Sequence, residues 1–150
     1  MSSSVEYSAF AAVFEKQTLR DGVSGARVLS GYETRGPKEG LLSLSGGKQE
    51  PDDNNCFVQT AIRETEEEAD LVLTKSEFRY GAVLSTVQSD DKKAVMYIFP
   101  CVKESSFVKE STRPQLQLDQ LAFRTIPEIL QQPHTYSCDA LPECYYKITN

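Results

Sequence analysis

The chain has 150 residues, a net charge of −6 and a sequence pI of about 4.9, which fits one domain, residues 1–150, long enough to build a core. With 39% hydrophobic and 25% charged residues, its composition is that of a soluble globular protein. The acidic balance argues against a general nucleic-acid binder and gives no reason to expect an anionic membrane partner.

The first ten residues, MSSSVEYSAF, carry no basic segment followed by an apolar one, so no secretory signal is read. The run Ala9 to Phe14 is far too short to span a bilayer. Cys56, Cys101, Cys138 and Cys144 form no CxxC pair and are expected as reduced thiols of a cytoplasmic protein. His134 is the only histidine. It lies near Cys138 and Cys144 but lacks a fourth ligand at zinc-like spacing, so a surface histidine is expected.

In chain order, Val5 to Lys16 is β-branched and aromatic enough for a first strand. A two-glycine turn over Leu19 to Ala26 leads to a second strand, Arg27 to Glu33, which Thr34 to Gly40 breaks. Leu41 to Ser45 is a short strand running into Gly46-Gly47. A helix is predicted from about Cys56 to Ala69, with Asn54 or Asn55 as its cap. Strands follow at Glu77 to Gln88 and Lys93 to Lys103, joined by Ser-Asp-Asp-Lys. In the latter, Val95, Tyr97 and Phe99 alternate with Met96 and Ile98, so both faces should be covered. Lys103 to Gln117 reads as a charged loop and Leu121 to Thr125 as a strand. Thr125-Ile126-Pro127-Glu128 has capping-box spacing with an early proline and starts a helix over Ile126 to Gln132. No periodicity is read after Pro133. The pattern predicts an α/β (α+β) fold, a mixed sheet between helices.

On a helical wheel, Phe57, Val58, Ala61, Ile62, Thr65 and Ala69 share one side, with Thr65 its weak member. Glu64, Glu67 and Glu68 stand at i, i+3 and i+4 on an adjoining stripe, while Glu66 projects to solvent. Like charges on one stripe repel by a few tenths of a kcal/mol per pair. Mg²⁺ reverses that effect, because it takes hard oxygen ligands and shares its shell with substrate phosphates. Gly46 and Gly47 admit a ligand where a side chain would block it. The bland alternative is a solvated acidic helix face.

The stretch GGKQEPDDNNCFVQTAIRETEEEADL, Gly46 to Leu71, resembles the box motif of Nudix hydrolases, Gly-x5-Glu-x7-Arg-Glu-U-x-Glu-Glu-x-Gly-U, where U is a large apolar residue. Gly47, Arg63-Glu64, Glu67-Glu68 and Leu71 match. The resemblance implies an α/β/α sandwich with a mixed β-sheet. It also implies Mg²⁺-dependent hydrolysis of a pyrophosphate bond in a nucleoside diphosphate-linked substrate, with Mn²⁺ as an alternative cation. By the same resemblance Glu67 and Glu68 are core metal ligands and Glu64 is a third ligand or base. Arg63 organises the carboxylates, making Glu64, Glu67 and Arg63 the catalytic set, with Gly46, Gly47 and Lys48 against substrate and Glu50 a further candidate for the metal shell.

The chain departs from the motif at several points. Nine residues separate Asp53 from Arg63 where the family has seven, so the first acid is Asp53 or is absent. Thr65 replaces a large apolar residue, Asp70 a glycine, and Ser45 the proline that often precedes Gly-Gly. These departures motivate a rival reading, a catalytically impaired nucleotide-binding module. No secondary signature selects a substrate. A nucleoside triphosphate, a dinucleoside polyphosphate, an inositol pyrophosphate and an RNA cap all remain open, with Tyr32, Phe78, Tyr80, Tyr97 and Phe99 as candidates to stack a base.

Overall fold

The computed structural model describes residues 4–89, 91–105 and 117–150. Its centre is a parallel pair, β1 (Ser4–Glu15) and β6 (Lys92–Lys103), in register from Ser4↔Lys92 to Glu15↔Lys103. Parallel neighbours need a long crossover, and the chain between them supplies four further strands and one helix, the seventh strand following β6. β5 (Val83–Ser89) pairs antiparallel with β6 and forms an edge. On the other side β1 changes partner along its length. Ser8 to Ala11 pair with β4 (Ser45–Lys48), and Phe14 pairs with Val28 of β2 (Arg27–Glu33). β2 then diverges to carry β3 (Leu42–Ser43) and β7 (Leu118–Thr125). The result is a seven-stranded mixed sheet.

Alternation along β1 and β6 divides the core in two. Phe10, Ala12, Phe14, Met96 and Ile98 face one cluster, closed by α2 (Ile126–Leu130) and α3 (Leu141–Thr149). Ala9, Ala11, Val13, Phe99 and Cys101 face the other, beneath α1 (Phe57–Ala69). Each large side chain buried in these layers contributes about 1.5–3 kcal/mol. Helices thus cover both faces of the sheet, as the alternation in β6 requires. No helix among the described residues is long and apolar enough to cross a membrane.

Several boundaries differ from the sequence expectations. Gly46 and Gly47 lie inside β4, paired with Phe10 and Ala9, not after a strand. β5 begins at Val83, because Lys75–Glu77 forms a 3-10 turn boxed by Thr74 and Gly81 adopts φ 79°. β7 starts earlier than predicted, at Leu118, and carries an irregularity where Gln120 takes φ 54°. The Thr125–Glu128 capping box forms as expected, but α2 stops at Leu130. α3 was not expected at all. Its apolar face is Leu141, Cys144, Tyr145 and Ile148, an i, i+3, i+4, i+7 pattern starting beside Pro142. The predicted charged loop falls largely on residues 106–116, outside the described residues.

Candidate active site

At its two glycines β4 is pressed closely by β1 at Gly46 and by α1 at Gly47. A Cβ on Gly47 would sit 2.6 Å from the carboxylate carbon of Glu64, and one on Gly46 would run into the Phe10 ring and the Ala9 carbonyl. Gly46 is therefore required by space, while a side chain at Gly47 would displace the Glu64 carboxylate. Glu68 is 2% exposed and accepts the Gly46 N–H at 2.7 Å. Glu64 and Glu68 are thus brought together on the glycines. Glu67 stays at the rim, its side chain 58% exposed, and Glu66 is exposed.

Arg63 ties this group together. Its Nε and Nη2 donate to Asp53 Oδ1 and Oδ2 at 2.8 and 3.1 Å, a bidentate pair. Nη1 donates to Glu64 at 2.9 Å and Glu67 at 3.2 Å, and Nη2 to the Lys48 carbonyl at 3.2 Å. Glu50, half-exposed, stands 3.8 Å away. Asp53 is buried and also accepts from Glu50 N–H and Thr60 Oγ1. Arg63 holds its carboxyl down to about 2. Asp53 therefore partners Arg63 in spite of the insertion. The extra length is taken up by Asn54 and Asn55, both left-handed at φ 54° and 58°, a conformation asparagine tolerates. Neither caps α1, whose N-cap is Cys56 with no side-chain bond.

Two other departures resolve in the same way. Thr65 is fully buried and makes a 2.9 Å hydrogen bond with Ser45, so it is a partnered member of the buried face and not a weak one. Asp70 takes the left-handed C-cap at φ 54°, where glycine was the expected residue.

Burial pushes Glu68 up to about 9, against the Gly46 N–H, with Glu64, Glu33 and Glu67 adding to the rise. Burial also raises Glu64, with Arg63 opposing. A buried and a partly buried carboxylate side by side resist carrying full charge together, and a cation between them relieves that cost. The donors are hard oxygens, suited to Mg²⁺ or Mn²⁺. As they stand they do not converge on one point. Among the described residues, no group of three acids, histidines or cysteines is placed to hold an ion. Glu68 is turned to Gly46, while Glu64 and Glu67 lean on Arg63.

The remaining candidates lie elsewhere or pack structurally. Lys48 Nζ is 3.2 Å from Glu6, which also pairs with Lys92, and only the Lys48 carbonyl reaches the site. Phe78 and Phe99 pack edge to face in the core. Tyr97 stacks on Phe57 at 4.1 Å. Tyr32 bonds Gln132 beneath Arg124, and Tyr80 sits against Arg79. His134 contacts the Gln132 carbonyl and Asp139 through its two ring nitrogens. Cys138 and Cys144 are buried thiols pushed up to about 11 and 12 by burial. The sequence reading missed Thr60, and it missed the partnership of Ser45 with Thr65. The available signal was two threonines flanking Ala61 on an otherwise apolar face.

No family model matches the chain, and no curated protein matches it. Solved structures do. The NUDIX domain of Shewanella oneidensis NrtR, complexed with ADP ribose, superposes with a TM-score of 0.68 at 16% identity, covering 98% of this chain and 90% of that one. A MutT NUDIX hydrolase from Burkholderia pseudomallei gives 0.60 at 22%, covering 93% and 97%. A C. elegans Ap4A hydrolase gives 0.61 at 13%, covering 96% and 97%. The chain therefore has the Nudix fold, an α/β arrangement of helices about a mixed sheet.

Proposed function

We propose that residues 1–150 act as one hydrolase domain that cleaves a pyrophosphate linkage in a nucleotide substrate, with Mg²⁺ or Mn²⁺ held by Glu64, Glu67 and Glu68. The observation that carries this reading is the gathering of Glu64 and Glu68 against the paired glycines of β4, braced by an arginine that a buried aspartate holds. Such polar burial is costly as packing and is explained by a cation that the carboxylates neutralise. The neighbours in fold point to the same substrate class, since their names refer to ADP ribose, to a MutT hydrolase and to an Ap4A hydrolase.

When bound, the cation supplies Lewis acidity toward phosphoryl oxygens and acidifies a water. The residues of the chain do the rest. Gly46 and Gly47 do not present to a substrate the open backbone that the sequence suggested; they seat Phe10, Glu64 and Glu68 against β4. Arg63 fixes Glu64 and Glu67 in orientation. Glu67, at the solvent rim, holds the cation with Glu68, and Glu64 is a third ligand or accepts a proton from an incoming water. Lys48 reaches substrate only by leaving Glu6, so its role is electrostatic at most.

A Mg²⁺-dependent hydrolysis screen over nucleoside triphosphates, ADP-ribose, dinucleoside polyphosphates, inositol pyrophosphates and capped RNA tests the reading. At least one should turn over, and Glu67→Gln should slow it by about 100-fold or more with the fold intact by circular dichroism. A second reading, a nucleotide-binding module without turnover, is favoured by one observation, the lack of a preassembled chelate among the described residues. It wins if nucleotides bind and none is cleaved.

A further inference from the structure

We propose that the buried Ser45–Thr65 hydroxyl pair is a positioning clamp that sets the Gly46 amide and the Glu64 and Glu68 carboxylates against one another. What the carboxylates do rests on the functional reading above; what holds them rests on geometry. Ser45 is 4% and Thr65 0% exposed, with their oxygens 2.9 Å apart. Each hydroxyl is adjacent in sequence to one half of the site. Ser45 precedes Gly46, whose N–H donates to Glu68. Thr65 follows Glu64, whose carboxylate fills the space a Gly47 side chain would need.

The bond therefore crosses from β4 to α1 at the level where both carboxylates meet the strand. These are two positions at which the chain departs from the box motif, and the two departures meet each other. An apolar contact is non-directional, whereas a hydroxyl pair fixes both distance and angle. A single hydroxyl left buried without its partner is disfavoured, while removal of both is better tolerated. The pair should therefore act as one unit.

The test compares Thr65→Val, Thr65→Ser, Ser45→Ala and the Ser45→Ala/Thr65→Val double variant. Thr18→Val serves as a control, since it removes another buried hydroxyl, bonded to the Glu15 carbonyl. The readouts are hydrogen exchange of the Gly46 amide by NMR, the Mn²⁺ dissociation constant, and kcat and KM on any substrate that turns over. Thr65→Val should speed Gly46 exchange and weaken Mn²⁺ binding by about tenfold each, and lower kcat with KM changed less than about twofold. Thr65→Ser should stay within about threefold of wild type, and the double variant should recover part of the loss. Unchanged Gly46 exchange in Thr65→Val, or an equal change in Thr18→Val, overturns the clamp. If Thr65→Val does not fold by circular dichroism, Ser45→Ala carries the same comparison. A wild type without turnover defeats the hydrolase reading, yet Gly46 exchange still decides the clamp.

Discussion

The two faces of one sheet have been built differently. Beneath α2 and α3 the sheet buries Phe14, Leu42, Leu44, Ile98, Ile129 and Leu141, each almost fully enclosed. Beneath α1 the buried apolar cluster is smaller, four of its members being Ala9, Ala11, Ala61 and Ala69 beside Phe78 and Phe99, and Asp53, Thr60, Thr65 and Glu68 are buried as well. Apolar burial stabilises wherever it occurs, whereas buried carboxylates are disfavoured unless partnered. The α3 face thus supplies stability, and the α1 face spends some of it to hold charged groups in a fixed arrangement.

Breaking the first face should give the largest effect on stability. Leu141→Ala is expected to cost about 2–5 kcal/mol, read by urea unfolding, while leaving Mn²⁺ affinity within about twofold while folded. A tenfold change in affinity would mean that the faces are not separable. Gly47→Ala should do the reverse, placing a methyl against Glu64. It should weaken metal binding by about tenfold or more for about 1–3 kcal/mol of stability.

Asp53→Asn sharpens the comparison further, because it removes one buried charge and loosens Arg63. Asp53 is depressed from 3.8 to about 2. Its contribution is therefore present above pH 3.8 and is lost as pH falls through about 2. At neutral pH the variant should lose about 1–2 kcal/mol, and its acid unfolding limb should flatten.

The smallest effect belongs to His134, which is bridged to Leu42 of β3. The Gln132 carbonyl and then Asp139 raise its pKa above 6.5. Its stabilisation is complete below that value and fades as pH rises through the raised one. Unfolding midpoints compared at mildly acid and mildly alkaline pH should show this slope in wild type and not in His134→Gln.

The sheet and its central helix were legible because their signals are local and strong. Alternation in β6, the capping box at Thr125 and the stripe of Glu64, Glu67 and Glu68 each lie within a few residues. The apolar pattern of α3 was also present, but a cysteine and a tyrosine carry half of it, and Pro142, Glu143, Tyr146 and Lys147 interleave with it. The pairing of Asp53 with Arg63 spans a loop whose length is absorbed by two left-handed asparagines, and spacing alone does not reveal that. Ser45 and Thr65 are 20 residues apart, and each looks unfavourable until its partner is known. Glu67 shares a stripe with Glu68, yet one is at the rim and the other buried, because only tertiary contact with β4 distinguishes them.

The central claim is that the buried acids of the α1 face are a cation site. Thermal unfolding with and without Mg²⁺ between about pH 6 and about pH 9, in wild type and Glu68→Gln, tests it most directly. The carboxyl of Glu68 is raised from 4.5 to about 9, so without metal its neutral form favours the fold at low pH, and stability falls as pH rises toward about 9. Mg²⁺ must displace that proton, so the stabilisation it confers should grow with pH in wild type. Glu68→Gln should be nearly as stable as wild type at neutral pH without metal and should respond to Mg²⁺ weakly at every pH. A wild type indifferent to Mg²⁺ across the range, or one whose response Glu68→Gln reproduces in full, would contradict the account.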